Sequence, residues 1–247
     1  MNVSDLESSA EFYSSAIGQV NMSSVVSACA RLNADIIERM GRPTSGLFLG
    51  LGEGGLVEMM ASRFKRAVVV EASRSLLESA RARLSHLESL VLVHERFETY
   101  TPAPGVSTAC LLANHVLEHL EDPVSLIYRS RTWVDDDGFA VFTVPNATSL
   151  HRRIGVAMGL LSDVYALGPQ DLRVGHKRVY DLASLRHDVM AGHYEIAESG
   201  GFNVKLVSQE QMVGWPASLH EAIYAISRDV PAELCSNVYV VGRPCRD

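Results

Sequence analysis

The feature of the sequence that most constrains the fold is a repeated alternation of short apolar runs and helical segments. Apolar runs rich in branched side chains occur at residues 47–49, 67–70, 90–93, 108–113 and 139–144. Such runs, without polar alternation, are typical of buried strands in a parallel sheet that helices cover on both faces. Repeated βα units with right-handed crossovers therefore predict an α/β fold built on one mostly parallel sheet.

Capping signals predict where the intervening helices begin and end. Helices are predicted at residues 25–40, 56–64, 74–84 and 123–134. Ser73 is well placed to cap the third helix, and Asp122 followed by Pro123 gives the fourth a cap and a first-turn proline. Residues 135–138, three aspartates and a glycine, are predicted to form a turn before the fifth strand.

The pattern changes beyond Pro145. A helix is predicted at residues 149–161, followed by an irregular stretch through Tyr180 that is longer than most loops and is typical of a lid. The remaining predictions are a helix at 182–191, a pair of strands around Gly200 and Gly201, a helix at 218–226 and a last strand at 236–241. We expect the last strand to join the sheet in the antiparallel direction.

A glycine cluster, Gly50-Leu51-Gly52-Glu53-Gly54-Gly55, follows the first predicted strand. Glycines at such a turn let the backbone bend sharply and approach a ligand, while the following helix offers unpaired N–H groups. The cluster fits GxGxG, a pattern of methyltransferases, and also GxGxxG, the dinucleotide fingerprint. A tight turn without a ligand is the simplest alternative.

Glu71 ends the second predicted strand, about 20 residues after the glycines, where a carboxylate can accept hydrogen bonds from the hydroxyls of an adenosine ribose. Its spacing favours a cofactor that contains a nucleoside. An exposed glutamate next to a helix start is the alternative interpretation. Together the glycines and Glu71 leave S-adenosylmethionine and NAD open.

Composition and charge exclude several classes of protein. Of the 247 residues, 47% are apolar and 21% charged, and no apolar run approaches the roughly 20 residues of a membrane helix. The net charge of −7 argues against a general affinity for nucleic acid. The first residues lack the features of a secretion signal, and four scattered cysteines indicate neither disulfides nor a zinc ribbon. We therefore expect a cytoplasmic protein.

Three segments together resemble the class I S-adenosylmethionine-dependent methyltransferases. The segments are the VLEHL-ED-P run at residues 116–123, Phe97 after the third strand, and GHKRVY at residues 175–180 followed by Leu185 and Gly200-Gly201. The resemblance spans roughly residues 47–241. It implies a Rossmann-like methyltransferase fold with a mostly parallel seven-stranded sheet, helices on both faces and a helical lid.

The resemblance also implies a site for S-adenosylmethionine. Gly50, Gly52 and Gly54 would surround its methionine part, Glu71 would hold the ribose, Arg96 and Phe97 would flank the adenine, and Asn114 with His115 would border the methionine end. This sequence departs from the family in two places. Phe48 stands where an acidic residue is usual, and Glu53 is unusual inside the glycine turn.

Methyl transfer needs a base only when the acceptor atom has a proton to lose. His119 and His176 are the candidates for that base, with helix packing and solvation as the respective alternatives. His115, Glu118 and His119 would share one face of a helix, but the order is not HExxH and no further ligand is evident. We therefore expect no metal.

The chain is predicted to form one domain. Its parts are an N-terminal helical cap (1–45), a cofactor-binding half (46–145), a lid insertion (146–180) and the C-terminal part of the sheet (181–247). We expect methylation of an oxygen or nitrogen of a small molecule, such as a natural product, with a homodimer as the candidate assembly and no nucleic-acid or membrane partner. The alternatives are an NAD-dependent oxidoreductase and a catalytically silent protein that binds the cofactor or a partner.

Overall fold

The computed structural model describes residues 16–246 except Glu53, Gln209 and Val213, with the backbone alone for residues 16–23 and Glu210. The first fifteen residues of the predicted N-terminal cap therefore lie outside the described residues. None of the helices described is long and apolar enough to cross a membrane.

A seven-stranded sheet forms the centre of the structure. Its strands are β1 (Ser45–Leu49), β2 (Arg66–Glu71), β3 (Leu90–His94), β4 (Thr108–Asn114), β5 (Val134–Pro145), β6 (Tyr194–Phe202) and β7 (Asn237–Pro244). Their order across the sheet is β3-β2-β1-β4-β5-β7-β6. Strands β1 to β5 pair in parallel, whereas β7 is antiparallel to both β5 and β6. The predicted fold class and the antiparallel last strand are both confirmed.

Helices cover both faces of this sheet. They are α1 (Ala16–Arg39), α2 (Gly55–Met60), α3 (Arg74–Arg83), α4 (Pro123–Ser130), α5 (Leu150–Ala157), α6 (Pro169–Arg173), α7 (Leu182–Ala191) and α8 (Ala217–Ile226). One apolar cluster joins side chains of α1, α2, α3 and α8 to inner residues such as Phe48 and Val69. A second cluster joins α4 and α7 to Leu111 and Phe142 on the opposite face.

Three details of the part of the fold up to β5 differ from the sequence prediction. Strand β3 lies at the edge of the sheet, because it pairs only with β2, and Val91 is 46% exposed. The prediction that this strand is buried is therefore wrong. Helix α4 ends at Ser130 instead of continuing to Val134, which already belongs to β5. The predicted turn at residues 135–138 is an irregularity inside β5, where the register with β4 shifts after Thr108.

The predicted strand pair around Gly200 and Gly201 is wrong, because one continuous strand, β6, runs through both glycines. A side chain at Gly201 would place its Cβ 2.7 Å from the backbone of Ala232, and one at Gly200 would contact the ring of Tyr239 at 3.1 Å. These glycines therefore allow close packing within a strand and do not make a turn.

The buried side chain of Arg152 joins distant parts of residues 146–180. Its guanidinium donates to the carbonyls of Val164 and Ala166 and pairs with Asp171 at 3.0 Å. The backbones of Asn146 and Tyr180 form an isolated parallel bridge at the two ends of the segment. The predicted helix at 149–161 is shorter than expected and ends at Ala157, shortly before Gly159, which has φ 72°.

Candidate active site

The glycine turn connects β1 to α2 at the carboxyl edge of the sheet. Gly50, Gly52 and Gly54 all have positive φ, at 86°, 53° and 84°, a region that other residues rarely adopt. The amide of Gly50 donates to the carbonyl of Val70 at 2.9 Å, which ties the turn to the neighbouring strand. The three predicted glycines therefore do have the backbone conformation that such a turn requires.

Glu71 ends β2 directly beside the glycine turn and is buried. Its carboxylate accepts from the amide of Leu51 at 2.9 Å through Oε2 and from the amide of Ser73 at 2.7 Å through Oε1. A carboxylate has about four acceptor sites, so hydrogen bonds from ribose hydroxyls are compatible with this geometry. The exposed glutamate of the alternative interpretation is ruled out.

The loop after β3 brings Phe97 to the glycine turn. A Cβ at Gly50 would lie 3.8 Å from Cζ of Phe97, and Arg129 fixes the loop by donating to the carbonyls of Phe97 and Tyr100. Arg96, in contrast, has a side chain 42% exposed and pairs with Glu98 at 3.6 Å. Phe97 thus lies beside the glycine turn, while within the described residues no hydrogen bond or ion pair joins Arg96 to that turn.

Asn114 ends β4 and lies in a buried amide network that the sequence reasoning missed. Its Oδ1 accepts from Nδ2 of Asn33 in α1 at 3.1 Å and from the hydroxyl of Thr143 at 3.3 Å. Its own Nδ2 is buried and has no hydrogen-bond partner in the part of the chain that the structure describes. An unpaired buried donor at this position fits a ligand with an acceptor group. Asn33 interrupts the apolar face of α1, which was the available signal.

His115 follows Asn114 with a positive φ of 55°, so it is not part of a helix. Its amide donates to the carbonyl of Thr143 at 2.9 Å, and its Nδ1 lies 3.4 Å from a carboxylate oxygen of Glu118. Burial opposes protonation of the ring, but interactions with Cys29 and Glu118 outweigh it and raise the pKa of His115 to about 10. His115 is therefore a cation that offsets the buried Glu118.

Glu118 and His119 lie in a short 3₁₀ turn, Leu117–His119, where the sequence indicated a longer helix. Glu118 is only 1% exposed. Burial would raise its pKa, but the positive charge of His115 and the other two histidines nearby hold it below its usual range. Burial, together with the neighbouring His176 and His115, lowers the pKa of His119 to about 4 despite the opposing effect of Glu118.

His176 reaches the same place from the segment between α6 and α7. Its ring meets that of His119 edge to face, with 4.7 Å between the ring centroids, and its Nε2 is 3.9 Å from Glu118. Its Nδ1 bonds to Asp171 at 2.9 Å. Asp171 also accepts from Arg152 and from the amide of Gly168, and these three contacts overcome burial and hold its pKa far below the usual range.

The structure thus places both predicted base candidates side by side, next to the loop that packs on the glycine turn. Val116 provides that contact, because its Cγ2 atom lies 3.7 Å from the position that a Cβ on Gly50 would occupy. Asp171 and Arg152 were not predicted, since no local pattern marks them. The predicted shared face of His115, Glu118 and His119 is wrong, because His115 is not helical.

A comparison with protein families decides the class of the protein. The family described as "Methyltransferase domain" matches residues 26–197, more than half of the chain. The chain belongs to this family. Its cofactor is S-adenosylmethionine, which excludes the oxidoreductase alternative.

Solved structures of methyltransferases share the fold of this methyltransferase-family chain. The N-methyltransferase NodS from Bradyrhizobium japonicum, in complex with S-adenosyl-L-homocysteine, is 12% identical, with 98% of this chain and 99% of that chain covered and a TM-score of 0.62. The mitomycin 7-O-methyltransferase MmcR is 14% identical, with 89% and 54% covered and a TM-score of 0.58. Among curated proteins, none matches the chain by sequence.

The unusual Phe48 of this methyltransferase-family chain is explained by packing. Its ring is buried and meets Phe64 edge to face, with 5.8 Å between centroids. An aromatic core residue therefore occupies the position where the resemblance leads us to expect an acid. Glu53, the other departure, lies outside the described residues.

Proposed function

We propose that this protein transfers the methyl group of S-adenosylmethionine to an oxygen or nitrogen atom of a small molecule. The observation that carries the proposal is the pair of His176 and Asp171 beside the carboxylate of Glu118, next to the loop that contacts the glycine turn. An imidazole oriented by a carboxylate is suited to remove a proton, and oxygen and nitrogen acceptors have one to lose.

The residues divide the task in the following way. S-adenosylmethionine, when bound, supplies an electrophilic methyl group. The glycine turn allows close approach of the backbone, Glu71 accepts from the ribose, Phe97 borders the adenine, and Asn114 contributes the unpaired donor of its amide. Arg96 and His115 complete the proposed set, with His115 acting through its charge on Glu118.

His176 is the better of the two base candidates. Asp171 bonds to Nδ1, which leaves Nε2 to accept the proton that the acceptor atom loses, and Glu118 stabilises the resulting imidazolium. His119, with its pKa lowered to about 4, is a weak base and stays neutral. We assign His119 a role in packing against His176.

The acceptor is proposed to be a small molecule, such as a natural product. The net charge of −7 disfavours nucleic acid, and two structural neighbours are an N-methyltransferase and a mitomycin 7-O-methyltransferase. We propose residues 146–180 as the lid over the acceptor, because His176, Asp171 and Arg152 all belong to that segment.

Titration calorimetry of wild type and two variants tests the cofactor site. We expect S-adenosylmethionine and its demethylated product to bind the wild type, and Glu71→Ala to weaken both at least about 10-fold, as for the loss of one to two hydrogen bonds to a charged group. Glu78→Ala, which removes an exposed carboxylate of α3, should bind like wild type. Unchanged affinity in Glu71→Ala would contradict the ribose assignment.

Turnover is tested by the release of S-adenosyl-L-homocysteine in the presence of phenols, alcohols and amines. Methyl transfer to at least one of them is the expected result. Tight binding of S-adenosylmethionine without transfer to any acceptor would favour the catalytically silent alternative.

A further inference from the structure

Glu118, His119 and His176 form a group of three side chains whose ligand-forming atoms all lie within 4.8 Å of one another. Glu118 contributes a buried carboxylate, and neither of its oxygens has a well-formed hydrogen bond within the described part of the chain. His115 lies 3.4 Å from one of these oxygens and offsets the charge of Glu118, but it leaves both oxygens without a well-formed hydrogen bond, and a cation bound to them would remove that cost.

The imidazole of His176 is already oriented by a partner on its outer side. His176 donates through Nδ1 to Asp171 at 2.9 Å, and Asp171 is in turn held by Arg152. Histidines that bind metals characteristically make such an outer hydrogen bond, which leaves the second ring nitrogen for the metal. The ring of His119 contacts that of His176 edge to face, with 4.7 Å between the centroids.

We infer that Glu118, His119 and His176 together bind one divalent transition-metal ion. Two imidazoles and one carboxylate suit Zn²⁺, Mn²⁺, Fe²⁺ or Co²⁺, whereas Mg²⁺ and Ca²⁺ prefer oxygen ligands. Three protein ligands leave positions open for water or for an acceptor with oxygen or nitrogen donors. A small-molecule acceptor that binds to the ion must therefore carry such an oxygen or nitrogen donor.

The sequence led us to expect no metal, and this set differs from the three residues considered there. His115 is not helical and does not belong to the set. His176, which follows His119 by 57 positions in the sequence, takes its place. The metal and base roles of His176 exclude each other, because both use the lone pair of the same ring nitrogen. The assigned base role therefore describes the metal-free protein.

The site is tested on full-length protein that has been treated with a chelator and dialysed. Titration with Co²⁺ should give one equivalent of binding and visible absorption bands, and calorimetry should show Zn²⁺ and Mn²⁺ binding at the same stoichiometry. Glu118→Gln and His176→Ala should each lose the bands and weaken binding more than 10-fold. Asp171→Asn should weaken binding by about 10- to 100-fold, as expected for an outer partner of a ligand.

His187→Ala is the matched control, because His187 is an exposed histidine of α7, and it should bind like wild type. Thermal unfolding of each variant without metal verifies that it folds. The assignment would be overturned if the wild type bound no stoichiometric metal. It would also be overturned if Glu118→Gln and His176→Ala bound Co²⁺ as tightly as the wild type.

The metal site and the proposed function are tested independently, because metal binding is measured without turnover. Methyl transfer that persists in chelated protein would retain the proposed function, with His176 as the proposed base, and would show that the metal is not needed for transfer. Loss of transfer on chelation, restored by Mn²⁺ or Co²⁺, would support the metal site and methyl transfer and would contradict the base role of His176.

Discussion

His115 and His119 are four positions apart and both lie near Glu118, yet their pKa values move in opposite directions. Burial disfavours the charged form of both rings. His115 interacts with Cys29 and Glu118, and these interactions raise its pKa to about 10. His119 has two other histidines close to it, and burial with their repulsion lowers its pKa to about 4. One charged ring is therefore paired with one buried carboxylate, and the adjacent ring stays neutral.

Replacing His176 tests its proposed role as a proton acceptor in the metal-free protein. In His176→Ala, kcat should fall about 100- to 10,000-fold, the usual contribution of a general base. The affinity for S-adenosylmethionine should stay the same, because in the described part of the chain the polar and ring contacts of His176 are to Asp171, Glu118 and His119 and not to Glu71. Steady-state rates of chelated protein and calorimetry give the two quantities. Wild-type kcat in this variant would refute the role, and His187→Ala serves as the control for a surface histidine.

At the scale of elements, local signals predicted most of the fold. Helix α7 has the predicted bounds because Asp181 forms a capping box with Ser184 and Gly192 ends the helix. Errors arose where packing decides the outcome, as in β3 at the sheet edge and β6 through its two glycines.

The candidate site was predictable only where its residues follow a local pattern in the sequence. Its glycines and Glu71 follow a spacing rule, whereas Asn33 and Asn114 are 81 positions apart and meet only in the folded chain.

The two kinds of glycine should respond differently to substitution. Gly201→Ala in β6 puts Cβ 2.7 Å from the backbone of Ala232, so we expect a loss of about 1–3 kcal/mol in the free energy of unfolding, as for other overpacked sites. Gly155→Ala in α5 meets only Leu161, at 3.4 Å, and should be neutral or stabilising by up to about 1 kcal/mol. Urea denaturation measures both, and equal stability of the two variants would argue against tight packing at β6.

At the scale of the whole molecule, the seven strands form one sheet, and its two faces carry the two apolar clusters. Strands β1 and β4 lie side by side near the middle, and their carboxyl ends lead into the glycine turn and into Asn114. A ligand at this edge therefore contacts loops from both halves of the sheet. Because the strands are continuous with both cores, we expect the described domain to unfold as one cooperative unit.

Cofactor binding should consequently stabilise the entire domain and not only the glycine turn. At a concentration 100 times its Kd, a ligand that binds only the folded state adds about 2.7 kcal/mol, and 1 kcal/mol raises the Tm of a domain of this size by about 2–4 °C. S-adenosylmethionine should therefore raise Tm by about 5–10 °C in a single calorimetric transition. NAD at the same concentration should leave Tm unchanged, because the family's cofactor is S-adenosylmethionine. A second transition that the cofactor does not shift would show that the β6–β7 edge unfolds independently of the cofactor-binding half.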